Sequence, residues 1–438
     1  MLGGWSLLSP NAAITLTFMI WQKSKTRMEE KHEVKNSRKR PRNDYNEGLA
    51  SVAEKHGDDF LLRDAIEANL PLFKSLKTSL YRHYHSCYPV IHSIADIPED
   101  LKMSLAGKTS TDPADPRYRE QYLVFAQEDP PFLVFSCPAD LASLHESHLW
   151  ICDGTFDMTP GDANFSQVYQ ILAFSDETAL PAVIALMPNR LQTTYQQLFT
   201  IILKLLYQKF GSLGNLTFLN FDFETAAMNA AKAVFPLAVI RGCVFHFAQA
   251  VNRNIQAKGL ALVYEQRQPY DGPQFSAVKQ WSVPLGTDSS ELLLPRTNDA
   301  IVNEKLADFA KYFEHEWLRS DQKIQAVNHW SNQGPRTTNY AEGRNYALRA
   351  RFPQAHPKLS VFLVILQEYH NSLQVRRRQP AGENPRLAQY IQNDRRIGDA
   401  KTLFQQRIEA LNILDPGYAV QLDEEIVLFL DHVQNMLG

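Results

Sequence analysis

Two aspartates close apolar runs in this chain: Asp153 in WICDGTFDMTP, residues 150 to 160, and Asp222 in LTFLNFD, residues 216 to 222. Each run reads as a core strand. An isolated buried carboxylate costs several kcal/mol unless it is paired or holds a metal. Singly, each aspartate reads as the cap of the turn or helix that follows. Together they read differently. If the two strands are neighbours, about 4.8 Å apart, both carboxylates face one small volume. Two carboxylates that close cannot both stay ionised without compensation, and Mg²⁺ or Mn²⁺ is the hard cation that oxygen ligands favour.

Other residues invite chemistry less strongly. Glu342 follows Asn339 by three positions, the spacing of an N-cap and its capping-box partner at the start of a helix. Arg344, Arg349 and Arg351 come next; they suit phosphate contacts as well as an ordinary solvated helix face. Cys243 and His246 form a C-x-x-H pair, but two ligands do not make a zinc site, and Cys152 is the only further thiol in view. Packing is the favoured role for that pair. His83, His85, Cys87 and His92 lack the paired knuckles of a structural zinc site, so they read as surface and packing residues.

The elements that must position the acids are legible in the pattern. YLVFAQ, FLVFSC, LWICDGTF, FSQVYQILAFSD and PAVIALMPN are turn-bounded, β-rich runs. TTYQQLFTIILKLLYQKFG reads as a helix with a threonine cap, an apolar stripe through Leu198, Ile201, Ile202, Leu205 and Leu206, and a closing Gly211. Two further strand-and-helix units follow, through Asp222 and through IRGCVFHFAQAVNR. The expected fold is α/β, a mixed sheet with helices on both faces. Before it, Leu61, Leu62, Ile66, Leu70, Phe73 and Leu76 have helical spacing, as does EKLADFAKYFEHEWL after it.

Composition excludes more than it identifies. The chain has 438 residues, with 44% hydrophobic and 21% charged, which suits a folded, water-soluble protein of more than one unit. A net charge of −3 argues against non-specific coating of nucleic acid and leaves room for a local basic groove. The 4 cysteines are too scattered for a disulfide framework, which fits a reducing compartment. AAITLTFMIW, residues 12 to 21, is about half of the roughly 20 residues a membrane span needs, so no membrane partner is expected. It also lacks the flanks of a signal peptide. The polar stretch after it contains SRKRPR, residues 37 to 42, either a nuclear-localisation patch or part of a solvated tail.

Taken in order, DGTFDMTP, FSQVYQILAF, NFDFETAAMNAAKAVFP, IRGCVFHFAQAVNR, YFEHEWL, His329-Trp330 and PRTTNYAEGRNYALRARF resemble the transposase domain of Mutator-like elements over roughly residues 115 to 370. The resemblance implies a ribonuclease H-like fold in which three acids, here Asp153, Asp222 and Glu342, hold two Mg²⁺ or Mn²⁺ ions. It implies DDE-type DNA strand cleavage followed by strand transfer, with transposon ends and target DNA as partners, a possible homo-oligomer, and a nuclear location. Cys243, His246, Arg253, Asn339 and Arg344 become candidates for supporting the acids or touching DNA. The expected organisation is a basic tail (1–57), a helical region (58–114), the first part of the core (115–257), a helical insertion (258–330), the end of the core with the third acid (331–375) and a C-terminal helical region (376–438). Residues 1 to 86 hold no cysteine, so the zinc module usual at the N-terminus of the family has no counterpart there. That departure keeps open a transposon-derived DNA-binding or regulatory protein without cleavage activity, or a nuclease that does not transpose.

Overall fold

The computed structural model describes residues 88–176, 178–262, 299–329, 332, 334–379 and most of 388–429, with a few isolated positions before 88. The basic tail, most of the first helical region and part of the insertion lie outside the described residues. So do His83, His85, Cys87 and Trp330; His92 is exposed.

Strands β1 (Leu123–Gln127), β2 (Phe132–Phe135), β3 (Leu149–Thr155), β4 (Gln167–Ser175), β5 (Thr178–Met187), β6 (Phe218–Phe221) and β7 (Val239–Gly242) form one 7-stranded sheet in the order β1-β2-β5-β4-β3-β6-β7. The first five strands pair antiparallel, whereas β6 runs parallel to β3 and β7 parallel to β6. The sheet is therefore mixed, and helices cover both faces. Asp153 lies within β3 rather than at its end: the antiparallel ladder to β4 continues through Gly154 and Thr155.

Strand parity sorts the two cores. Trp150, Cys152, Tyr169, Ile171, Leu219 and Phe221 point to one face. There they meet helices α1 (Pro138–Glu146), α2 (Gln192–Phe210) and α3 (Thr225–Val234). Burial on that face includes the Trp150 indole, whose Nε1 donates to the Leu144 carbonyl at 3.0 Å. On α2, Tyr195, Leu198, Phe199, Ile202 and Leu206 are buried at helical spacing, and Gly211, with φ 74°, ends the helix in the left-handed conformation. Truncating Leu198 to alanine there is expected to cost about 2–5 kcal/mol. The expected threonine cap does not form. Leu191 is the N-cap without a side-chain bond, and Thr194 Oγ1 donates to Asn189 Oδ1 instead.

Leu149, Ile151, Leu172 and Phe174 face the other way. The later helices are α4 (Val244–Ala257), α5 (Ala300–Phe313), α6 (Asp321–Val327), α7 (Asn339–Arg349), α8 (Leu359–Arg378) and α9 (Ala388–Glu409), with one π-helical turn at Glu314–Leu318; of these, α7 and α8 pack on this second face, whereas Ala326 of α6 joins the first core. Helix α7 packs across β3 and β5, and its Ala341 is buried against Leu149 and Ile151. Helix α8 is apolar nearly all round through its first half and lies against β2, β4 and β5 residues. Within the expected insertion, residues 300–318 and 321–327 are helical. Phe247 and Val251 of α4 pack against Leu306, Phe309, Phe313 and Trp317.

Candidate functional site

The sheet register brings Asp153 and Asp222 together. Leu149, Trp150 and Ile151 pair with Phe218, Leu219 and Asn220 in parallel. Extending that register by two residues sets Asp153 opposite Asp222. Even spacing puts Asp153 on the face that carries Ile151, beneath α7, and Asp222, one residue past the end of β6, is near enough for its charge to act on Asp153. The same face turns polar at this level: Asn220 Nδ2 donates to the Pro335 carbonyl at 2.9 Å, and Gln170 pairs across the ladder with Asp153.

Two devices make the turn after β6. Asp222 Oδ1 accepts from the Glu224 backbone N–H at 3.3 Å, so Asp222 also serves the capping role its position suggests. Phe223 takes φ 68°, a left-handed conformation that side-chain-bearing residues adopt at a cost of about 1–3 kcal/mol. The third acid comes from α7. Its N-cap is Thr338 rather than Asn339, with no side-chain cap bond, so the Asn339–Glu342 capping box does not form. Glu342 is then free of local duty: its side chain is 46% exposed and its Oε1 lies 3.8 Å from His246 Nε2.

The electrostatics show how close these groups are. Asp153 is only 7% exposed. Burial, then the charges of Asp222 and Glu342, push its carboxyl up from 3.8 to about 7. The adjacent Cys243, followed by Asp222 and Glu342, raises the His246 imidazole above its ordinary value. For Cys243 burial works upward, but His246 and Thr338 outweigh it and bring the thiol down. The Thr338 backbone N–H donates to the Cys243 sulfur at 3.2 Å. Cys243 and His246 thus flank the acids from the start of α4. Cys152, on the opposite face of β3, is buried in the core and its thiol is pushed well up by burial.

The remaining candidates fall elsewhere. Arg344 turns toward the sheet, where its Nε donates to the Ala179 carbonyl at 3.0 Å. Arg253 is exposed on α4 and donates to Gln249 Oε1 at 2.9 Å. Asn339 is exposed in the first turn of α7. His329 is buried and accepts no place among the acids; its Nε2 meets the Gly242 carbonyl at 2.8 Å, and burial pulls it down to about 4.

Three residues beside the acids are not among the candidates that the sequence offers. Asn345, on the same face of α7 as Glu342, donates through Nδ2 to Asp153 Oδ2 at 2.7 Å. Gln170 Nε2 in turn donates to Asn345 Oδ1 at 2.6 Å. Glu224 is a fourth acid: burial raises it, Asp222 adds to the rise, and Arg190 Nε lies 4.0 Å from its Oε1. Spacing does connect Glu342 to Asn345, because positions three apart on a helix are neighbours.

A second cluster, Cys137, Asp140 and His370, places potential metal-ligand atoms within 4.8 Å of one another in the core. Its Asp140 carboxylate is already engaged by the Cys137 backbone N–H at 2.9 Å, His370 Nε2 at 3.0 Å, Gln374 Nε2 at 2.8 Å and the Arg377 guanidinium. A carboxylate with four donors, one of them a cation, is a buried ion-pair hub joining α1 to α8.

No curated protein matches the chain. The family profile of the MULE transposase domain matches residues 149–250, from β3 into α4. The matched span contains Asp153, Asp222, Cys243 and His246 and stops well before Glu342. Transposase domains of this kind act on DNA, and no helix among the described residues is long and apolar enough to cross a membrane. Residues 149–250 are thus similar to the MULE transposase domain.

Proposed function

We propose that this chain is a DDE-type DNA transposase that performs metal-dependent strand cleavage and strand transfer on a ribonuclease H-like fold. The observation that carries the reading is the gathering of Asp153, Asp222 and Glu342 around one volume, where burial first, and then the charges of Asp222 and Glu342, lift the Asp153 carboxyl to about 7. The donor set fits the implied cation. Three carboxylates offer hard oxygens, and their repulsion is what a divalent ion neutralises. Asp153 and Asp222 would be the principal ligands, and Glu342 would complete the site. Bound there, Mg²⁺ or Mn²⁺ supplies Lewis-acid stabilisation of charge on the phosphoryl oxygens and a more acidic water.

The chain's own contribution is orientation and charge. Asp153 is held rigidly in a central strand, whereas Glu342 and His246 stand at the solvent edge, where a phosphodiester would enter. In the first step water attacks phosphorus, the bond from phosphorus to the 3′ oxygen breaks, and a 3′-hydroxyl is released. That hydroxyl then attacks a target phosphodiester, forming one bond as another breaks. Joining two element ends to one target implies more than one copy of the chain. SRKRPR, residues 37 to 42, would serve as the signal for a nuclear location.

A nicking assay on DNA with Mg²⁺ or Mn²⁺ tests the reading. Wild-type protein should cleave, while Asp153→Asn, which keeps the volume and removes the charge, should abolish cleavage and keep DNA binding. Equal activity in the two proteins rejects the mechanism. A wild type that binds DNA and never cuts would point to a transposon-derived DNA-binding or regulatory protein.

A further inference from the structure

Gln170 is a fully buried glutamine in the middle of β4, and its neighbours two residues away along the strand, Val168 and Leu172, are apolar and fully buried. Such a position is costly for an amide unless its hydrogen bonds matter. Its Nε2 donates at 2.6 Å to Asn345 Oδ1 on α7, and Asn345 Nδ2 donates at 2.7 Å to Asp153 Oδ2. Asn345 itself is 8% exposed.

The order of donors and acceptors has a consequence. An amide has one acceptor end and one donor end. With Gln170 donating to the oxygen of Asn345, only the nitrogen of Asn345 is left to face Asp153, so the amide cannot flip without setting its oxygen against a carboxylate oxygen. The Asp153 carboxylate is therefore met by a fixed donor that ties Oδ2 and sets the plane of the group. The same amide pins α7 to β3 and β4, three residues beyond Glu342. One side-chain bridge thus registers the first acid of the site against the helix that carries the third.

We propose that Asn345, held by Gln170, is a positioning residue that orients Asp153 for cation binding and couples the placement of Glu342 to it. This role rests on the cation-binding reading of the three acids. Groups that orient metal-ligating carboxylates typically contribute ten- to a hundredfold to metal affinity.

The test is Mn²⁺ binding to the purified full chain, followed by isothermal titration and by the electron paramagnetic resonance signal of the free ion. Thermal melts without metal monitor the fold. Asn345→Ala should weaken Mn²⁺ binding by about ten- to a hundredfold. In cleavage it should raise the Mn²⁺ concentration needed for half-maximal rate more than it lowers the rate at saturating Mn²⁺. Gln170→Met, a milder change that only frees Asn345 to flip, should weaken binding in the same direction by less. Combined with Asn345→Ala it should add nothing, because the relay is already cut. If Asn345→Ala fails to fold, Gln170→Met carries the test alone. A folded variant with wild-type Mn²⁺ affinity, beside a wild type that binds and cuts, overturns this role and leaves the proposed function standing. A wild type that binds no Mn²⁺ overturns both.

Discussion

The ring of Phe223 lies over Gly242 of the neighbouring strand, so close that a Cβ at Gly242 would overlap it. Phe223 follows Asp222 directly, and its ring packs edge-to-face with Trp317 of the π-helical turn, with centroids 5.1 Å apart. The left-handed backbone of Phe223, the bare backbone of Gly242 and the position of Asp222 are thus one arrangement.

Gly242→Ala should therefore destabilise the protein by about 1–3 kcal/mol, the usual range for overpacking, and should weaken divalent-cation binding because Asp222 moves with Phe223. Adding Phe223→Ala should recover part of the stability lost to Gly242→Ala. Urea unfolding of the two single variants and the double variant checks this; strictly additive losses would show that the two residues do not compete for the same space.

Without divalent cation, Asp153 should make stability fall with rising pH. The folded carboxyl titrates at about 7 and the ordinary value is 3.8, so the folded state holds the proton more tightly. The cost is absent below the unfolded pKa, grows as pH rises from about 4 to about 7, and levels off above, with a ceiling of about 4 kcal/mol. Asp153→Asn removes that slope. The difference in unfolding free energy between wild type and Asp153→Asn, followed against pH in chelator, should favour the variant increasingly through this window. Saturating Mg²⁺ should stabilise wild type more above pH 7 than below pH 5. A difference that does not vary with pH would contradict the buried, charge-crowded environment of Asp153.

Asp140 should behave as the centre of an ion-pair hub. Burial alone pushes its carboxyl up, but His370 and Arg377 outweigh burial and hold it below the usual value. Asp140→Asn leaves the buried guanidinium of Arg377 without its carboxylate and should cost about 3–5 kcal/mol. In an Asp153→Asn background, where the acid site cannot contribute, chelator should leave the melting temperature unchanged. A drop on chelation would mean that Cys137, Asp140 and His370 hold a metal after all.

The sequence by itself determined most of the strands and helices, that one aspartate lies in an apolar strand and another directly after one, and that the segment from β3 to α4 resembles the MULE transposase domain. These are legible because alternation and helical spacing report burial within one element, where every relevant contact is a few residues away. Strand order was only a condition at the level of sequence; the parallel pairing of β6 beside β3 is what sets Asp222 near Asp153. Only the tertiary structure decided the rest. The spacing of Asn339 and Glu342 looks like a capping box, yet the helix begins one residue earlier and releases Glu342 toward His246. Arg344 looks like a surface cation, yet it bonds to the Ala179 carbonyl. Asn345 and Gln170 are 175 residues apart, and nothing in either neighbourhood announces a partner. A polar side chain is placed by whatever faces it after the helix docks on the sheet, and that docking is settled by the apolar residues around it rather than by the polar residue itself.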